Sequence, residues 1–90
     1  VIKMKSIFLH KHFEKKYSKL SQKIKKAFKE RRDIFLENAY DPILGIHALH
    51  GERKGYKSFN VTGDIRVVYK ESPKDVFLFA DIGTHGELYS

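Results

Sequence analysis

The sequence predicts an α+β domain with the element order βααβββ, in which a two-helix hairpin packs on one face of a small, mainly antiparallel sheet. Three observations predict it. A short β-forming run, Ile7-Phe8-Leu9, opens the chain. Apolar residues then recur at helical spacing between positions 11 and 38. Three β-rich segments divided by turn-forming residues fill positions 56–82. Successive strands joined by short turns pair antiparallel, and an amphipathic hairpin needs a sheet face to cover.

The first strand is expected over residues 5–9. In the next segment, 11–20, Phe13, Tyr17 and Leu20 stand at i, i+4 and i+7. Ser21 is a favourable N-cap for a second helix that runs to about Asn38. There Ile24, Ala27, Phe28, Ile34 and Phe35 share one side, while Lys25, Lys26, Lys29 and Arg32 lie roughly opposite. Leu36 falls off the stripe and is expected to meet the end of the sheet. Asp41-Pro42 ends the helical region, because a residue before proline avoids the α conformation. A loop carrying Gly45, His47, His50 and Gly51 follows. Strands are expected over 56–61, 65–70 and 76–82, with turns at Thr62-Gly63-Asp64 and Ser72-Pro73-Lys74-Asp75. Residues 83–90 are expected to form a short tail, with Gly83 freeing the backbone to turn. No repeat, linker or low-complexity stretch interrupts the pattern, so one domain over 1–90 is expected.

Composition narrows the function classes. A chain of 90 residues buries only about 60% of its unfolded surface, which leaves little room for a deep cofactor pocket. The absence of cysteine excludes disulfides, cysteine zinc sites and thiol nucleophiles together. The longest apolar run covers residues 76–80, far short of the ~20 that a membrane-spanning helix needs. No signal-peptide pattern opens the chain, so a soluble cytoplasmic protein without membrane contact is expected. Charge is strongly asymmetric: residues 1–33 carry twelve basic and three acidic side chains, and residues 34–90 carry six and eight. Such a basic segment attracts polyanions, nucleic acid first and an acidic protein segment next.

Chemistry can reside in the five histidines. Imidazole titrates at about 6.5 and serves as general base or general acid near neutral pH. His47 and His50 fall in the central loop and His85 in the tail, whereas His10 and His12 follow the first strand and, with His50, read as surface residues. No zinc-ligand spacing, glycine-rich phosphate loop or G-x-S-x-G elbow occurs, so neither a metal nor a cofactor is expected. Tyr89 lies four residues after His85 and shares its face if the tail is helical. Tyr69 alternates with Arg66 and Val68 and belongs to the core side. Arg66, a long cation in an apolar strand, either forms an ion pair or faces a ligand. Asp64 occupies a turn that favours aspartate on its own account.

The segments His47-Ala48-Leu49-His50-Gly51, Lys54-Gly55-Tyr56-Lys57-Ser58, Asp64-Ile65-Arg66-Val67-Val68-Tyr69 and Gly83-Thr84-His85, followed by Leu88-Tyr89, together resemble the YafQ branch of the RelE/ParE toxin superfamily. The basic hairpin ahead of them fits as well, so the likeness spans nearly the whole chain. It implies a RelE-like fold and the toxin of a toxin–antitoxin pair. It further implies an endoribonuclease that cuts mRNA, in the ribosome, and is silenced by a cognate antitoxin. By position, His47, Asp64 and His85 match catalytic residues of YafQ-like enzymes, Tyr89 their terminal aromatic residue, and Arg66 the strand arginine at the scissile phosphate. Asn60 stands where those enzymes often carry a histidine. Asp81 stands where they often carry an arginine, and a carboxylate there repels a phosphate.

The chemistry so implied is metal-independent. A base removes the ribose 2′-OH proton, the oxygen attacks the adjacent phosphorus, an acid protonates the leaving 5′-oxygen, and cations stabilise the phosphorane. His85 is the candidate acid and His47 or Asp64 the candidate base. Arg66 and Lys54 are candidate phosphate ligands, and Tyr56 and Tyr89 are candidate stacking platforms for bases. The competing reading is a non-enzymatic toxin of the same fold, such as a gyrase-inhibiting ParE-like protein.

Overall fold

The computed structural model describes residues 4–89; Lys3, in the basic segment, and Ser90, the end of the expected tail, lie outside them. In chain order the elements are β1 (Ser6–Leu9), α1 (Lys11–Ser18), α2 (Gln22–Glu37), β2 (His47–Ala48), β3 (Lys57–Asn60), β4 (Ile65–Glu71), β5 (Val76–Thr84) and α3 (His85–Tyr89), with single 3-10 turns at Pro42–Leu44 and Gly51–Arg53. The sheet order is β1-β5-β4-β3-β2. β1 pairs with β5 in parallel, and every other pairing is antiparallel. The βααβββ frame is therefore present, with a two-residue edge strand and a terminal helical turn added.

Capping explains the hairpin. The His10 imidazole accepts the His12 amide at the start of α1, and the Ser21 hydroxyl accepts the Ile24 amide at the start of α2. Phe13, Phe28 and Phe35 are buried against Phe59, Val67, Tyr69, Phe77, Phe79 and Ile82, so both helices cover the same face of the sheet. Phe35 packs closely into this core, with ring centroids 4.9 Å from Tyr69 and Phe77 and 5.1 Å from Phe59. Leu36 packs at the margin of the same cluster.

Two sequence expectations are corrected. His47 stands on a strand rather than in a loop, because Leu49 and its neighbours pair back onto the start of β3. The tail is regular structure: β5 continues through Gly83 to Thr84, and α3 follows. Gly83 thus does not turn the chain. It opposes Arg66 inside the ladder, and a Cβ there would stand 3.0 Å from Lys16 Nζ and 3.1 Å from Glu87 Oε1. Its value is space. A second, smaller apolar cluster, Leu49, Val68 and Leu88 with Tyr56 and Tyr89, lies on the sheet face away from α1 and α2.

Candidate active site

Sheet register builds the site. His47 opposes Ser58, Ser58 opposes Val68, and Val68 opposes Asp81. Directly opposed residues share a face, so these four side chains form one row across β2, β3, β4 and β5. The adjoining row holds Asn60, Arg66 and Gly83. Asp81 reaches this face through a β-bulge. Val68 opposes Asp81 while Tyr69 opposes Phe79, which leaves Ala80 as the extra residue. Strict alternation from Phe77 and Phe79 would have turned Asp81 into the aromatic core. Instead Ile82 takes the core side and Asp81 the other.

His47 is oriented by the turn before it. Gly45 adopts a left-handed conformation, φ 54°, and a Cβ there would stand 2.5 Å from Asn60 Nδ2. The Gly45 carbonyl lies 3.1 Å from His47 Nδ1. A carbonyl only accepts, so Nδ1 donates, and the neutral ring keeps its lone pair on Nε2. That nitrogen lies 3.5 Å from the hydroxyl of the buried Ser58.

His85 opens α3, which a reciprocal capping box holds. The Thr84 amide donates to Glu87 Oε1 at 2.8 Å, and the Glu87 amide donates to Thr84 Oγ1 at 3.1 Å. Those contacts, the Thr84 amide first, hold the Glu87 carboxyl below the usual carboxylate range. The single helical turn returns Tyr89 to His85, with ring centroids 4.6 Å apart and planes at 62°. The Tyr89 hydroxyl is buried and meets no hydrogen-bond partner among the described residues.

His47, His50, Arg53, His85 and Tyr89 line one open cavity of about 240 Å³ together with Ala48 and Leu49. A larger depression of about 670 Å³ lies beside Phe35, Tyr69 and Phe77, but no histidine lines it. The smaller cavity therefore holds the groups suited to proton transfer near neutral pH.

At the β5 end of the row Asp81 collects cations. Lys16 Nζ lies 2.8 Å and His12 Nε2 3.3 Å from Oδ1, and Arg53 Nη2 lies 3.0 Å from Oδ2. Burial alone would raise the Asp81 pKa. The hydrogen bond and charge of Lys16, the Ile82 amide and Arg53 outweigh it and hold the carboxyl below its usual range. The carboxylate expected to repel a phosphate is thus buried and matched by the Lys16 ammonium and the Arg53 guanidinium.

Asp64 lies in the β3–β4 turn, one residue beyond the Ile65–Thr84 pair, at the same end of the ladder as His85. It is exposed and does not line the cavity. Arg66 points to the site face in the second row, half-buried and outside the lining. Lys54 is exposed just after the 3-10 turn that carries Arg53. Tyr56 is half-buried in the small apolar cluster, with Lys70 Nζ 5.8 Å from its ring centroid. The arginine that lines the cavity with both histidines is accordingly Arg53, which sequence reasoning passed over. Its partner Asp81 lies 28 positions away, and no local pattern joins them. His12, read as a surface residue, touches the same carboxylate.

No protein-family model matches the sequence, and no curated protein matches it in sequence comparison. Solved structures do match. The chain is similar to YafQ from E. coli, with 25% identity and a TM-score of 0.78 over 97% of this chain and 100% of that one. It matches the E. coli DinJ–YafQ toxin–antitoxin complex at 26% identity and a TM-score of 0.75, over 97% and 99%. The YoeB/ParE toxin from Agrobacterium tumefaciens shares the fold at 14% identity and a TM-score of 0.75, over 89% and 98%.

Proposed function

The chain is a YafQ-like member of the RelE/ParE toxin superfamily, and from that premise we propose that it is the toxin of a toxin–antitoxin pair and cleaves mRNA on the ribosome. The observation that carries this reading is the meeting of His47, His85 and Arg53 around one open cavity.

In the proposed reaction the 2′-OH of the ribose on the 5′ side of the scissile bond gives its proton to His47 Nε2. The 2′-oxygen forms a bond to phosphorus, the bond from phosphorus to the 5′-oxygen breaks, and His85 protonates the departing oxygen. A 2′,3′-cyclic phosphate, which can open to a 3′-phosphate, and a 5′-hydroxyl result. The Nδ1 contact to the Gly45 carbonyl favours His47 over Asp64 as base, because it leaves Nε2 able to accept a proton. Asp64 lies at the same end of the ladder as His85, and its proposed role is to orient an imidazole by accepting its N–H. Arg66 and Lys54 attract the RNA backbone from the rim, and Tyr89 supports His85 and stacks on a base. No metal or cofactor takes part.

The basic α1–α2 hairpin serves the partners: rRNA or mRNA phosphates in the active state and an acidic antitoxin segment in the silenced one. The work is cytoplasmic, where both polyanions are found. Mapping of mRNA ends after brief expression tests the reading. New 5′-hydroxyl ends with the wild-type protein, and about 10²-fold fewer with His85→Ala, are expected. Growth arrest with intact mRNA and induced DNA damage would instead establish the non-enzymatic, ParE-like alternative.

A further inference from the structure

We propose that Arg53 is the guanidinium that binds the scissile phosphate, and that Asp81 is the positioning residue that holds Arg53 at the cavity. This rests on the ribonuclease reading above and deepens it.

Arg53 is presented by a 3-10 turn between β2 and β3 rather than by the sheet. A long side chain on such a turn samples many rotamers unless something fixes it. Asp81 fixes it: Oδ2 takes Nη2 at 3.0 Å, and the carboxylate is only 7% exposed whereas the Arg53 side chain is 34% exposed. One contact therefore anchors the buried edge of the guanidinium. Arginine carries five N–H donors in a planar fork, so donors remain for the cavity that Arg53 lines with His47 and His85.

The carboxylate is itself held. The Ile82 amide donates to Oδ1 at 2.8 Å, and Lys16 Nζ reaches Oδ1 at 2.8 Å from α1. Gly83 leaves the space through which Lys16 arrives. The bulge at Ala80 aims Asp81 at this face. An acid in this position looks hostile to a phosphate, yet Arg53 and Lys16 offset the charges of Asp81 and the neighbouring Glu87 without counting His12. Asp81 lowers the local potential and at the same time orders the cation, and ordering is what a transition state uses most.

These two roles have opposite signs, which makes the inference testable. Removal of a carboxylate beside a phosphate site raises RNA affinity through charge alone. Removal of a positioning residue lowers the rate of the chemical step. Purified wild type, Asp81→Ala, Arg53→Lys and Arg53→Ala are compared on ribosome-bound mRNA with a mapped cut site, in single-turnover cleavage. Binding is measured with an oligonucleotide of the same sequence carrying one 2′-deoxyribose at the cut.

For Asp81→Ala, unchanged or tighter binding with cleavage slowed about tenfold or more is expected. Arg53→Lys keeps the charge but loses the fork, and is expected to cleave about tenfold more slowly. Arg53→Ala is expected to lose about 10²-fold. Cleavage by Asp81→Ala that is equal to or faster than wild type overturns the positioning role. Cleavage by Arg53→Lys at the wild-type rate overturns the phosphate role, and this half-exposed substitution reports even if Asp81→Ala does not fold. A wild-type protein that cuts no RNA refutes the ribonuclease reading itself and this inference with it.

Discussion

Thr84 and Glu87 cap one another, amide to side chain in both directions, at 2.8 and 3.1 Å. This reciprocal pair converts the last residues of the described chain from a tail into a helical turn, and the turn sets His85 over the cavity beside Tyr89. Thr84→Ala removes the capping hydroxyl and is expected to cost about 1 kcal/mol. Urea unfolding reads that cost. RNA cleavage should fall further than the stability loss explains, because His85 is no longer held. Wild-type cleavage by Thr84→Ala would show that α3 has no part in orienting the imidazole.

A second prediction concerns the approach to His47. Gly45 combines φ 54° with a close approach to the Asn60 amide group. Gly45→Ala is strained on both counts and should cost more than about 1 kcal/mol. The Gly45 carbonyl that fixes the His47 tautomer moves with it, so cleavage should drop as well. A thermal midpoint equal to wild type would mean that the turn relaxes freely.

Alkaline stability follows from Tyr69. Burial, with Glu71 adding to it, pushes its phenol up to about 12 from an ordinary 10. A group with a raised folded-state pKa contributes stability that is whole below its unfolded pKa and is lost as pH rises through the folded value. Stability should therefore decline between about pH 10 and 12, and Tyr69→Phe should flatten that decline. Chemical denaturation across this range is the check, and an identical slope in the variant would remove Tyr69 as its cause.

The acid limb has the opposite sign. Asp81 is held below its ordinary value despite burial, because Lys16, the Ile82 amide and Arg53 favour the charged form. A depressed folded-state pKa gives stability that is whole above the unfolded value, 3.8, and is lost as pH falls through the folded one. Denaturation midpoints for wild type should drop below about pH 4 more steeply than those for Asp81→Asn. Parallel acid limbs would contradict the ion-pair cluster.

Much of this was legible in the sequence because it rests on short periods and local chemistry. Phe13, Phe28 and Phe35 declared the buried side of the hairpin through their spacing, and Ser21 declared the helix start. The likeness of the carboxy-terminal motifs to YafQ-like proteins pointed to His47 and His85, and these two do line one cavity. The capping box Thr84-His85-Gly86-Glu87 was also present as a local pattern, and it would have turned the expected tail into a helix. What was not legible is long-range. The bulge at Ala80 reverses the alternation of β5, and without it Asp81 reads as a misplaced acid. Arg53 meets Asp81 only because β2 folds back on β3 and places the intervening turn over β5. Neither event leaves a mark in nearby residues.

The proposed chemistry depends most on His47 and His85 acting as base and acid across one cavity. The pH dependence of the single-turnover cleavage rate, for wild type and for each histidine replaced by alanine, tests it most directly. A bell-shaped profile is predicted for wild type, with the rising limb lost in His47→Ala and the falling limb lost in His85→Ala, each at a rate lower by about 10²-fold. Retention of both limbs at an undiminished rate in either variant would contradict it.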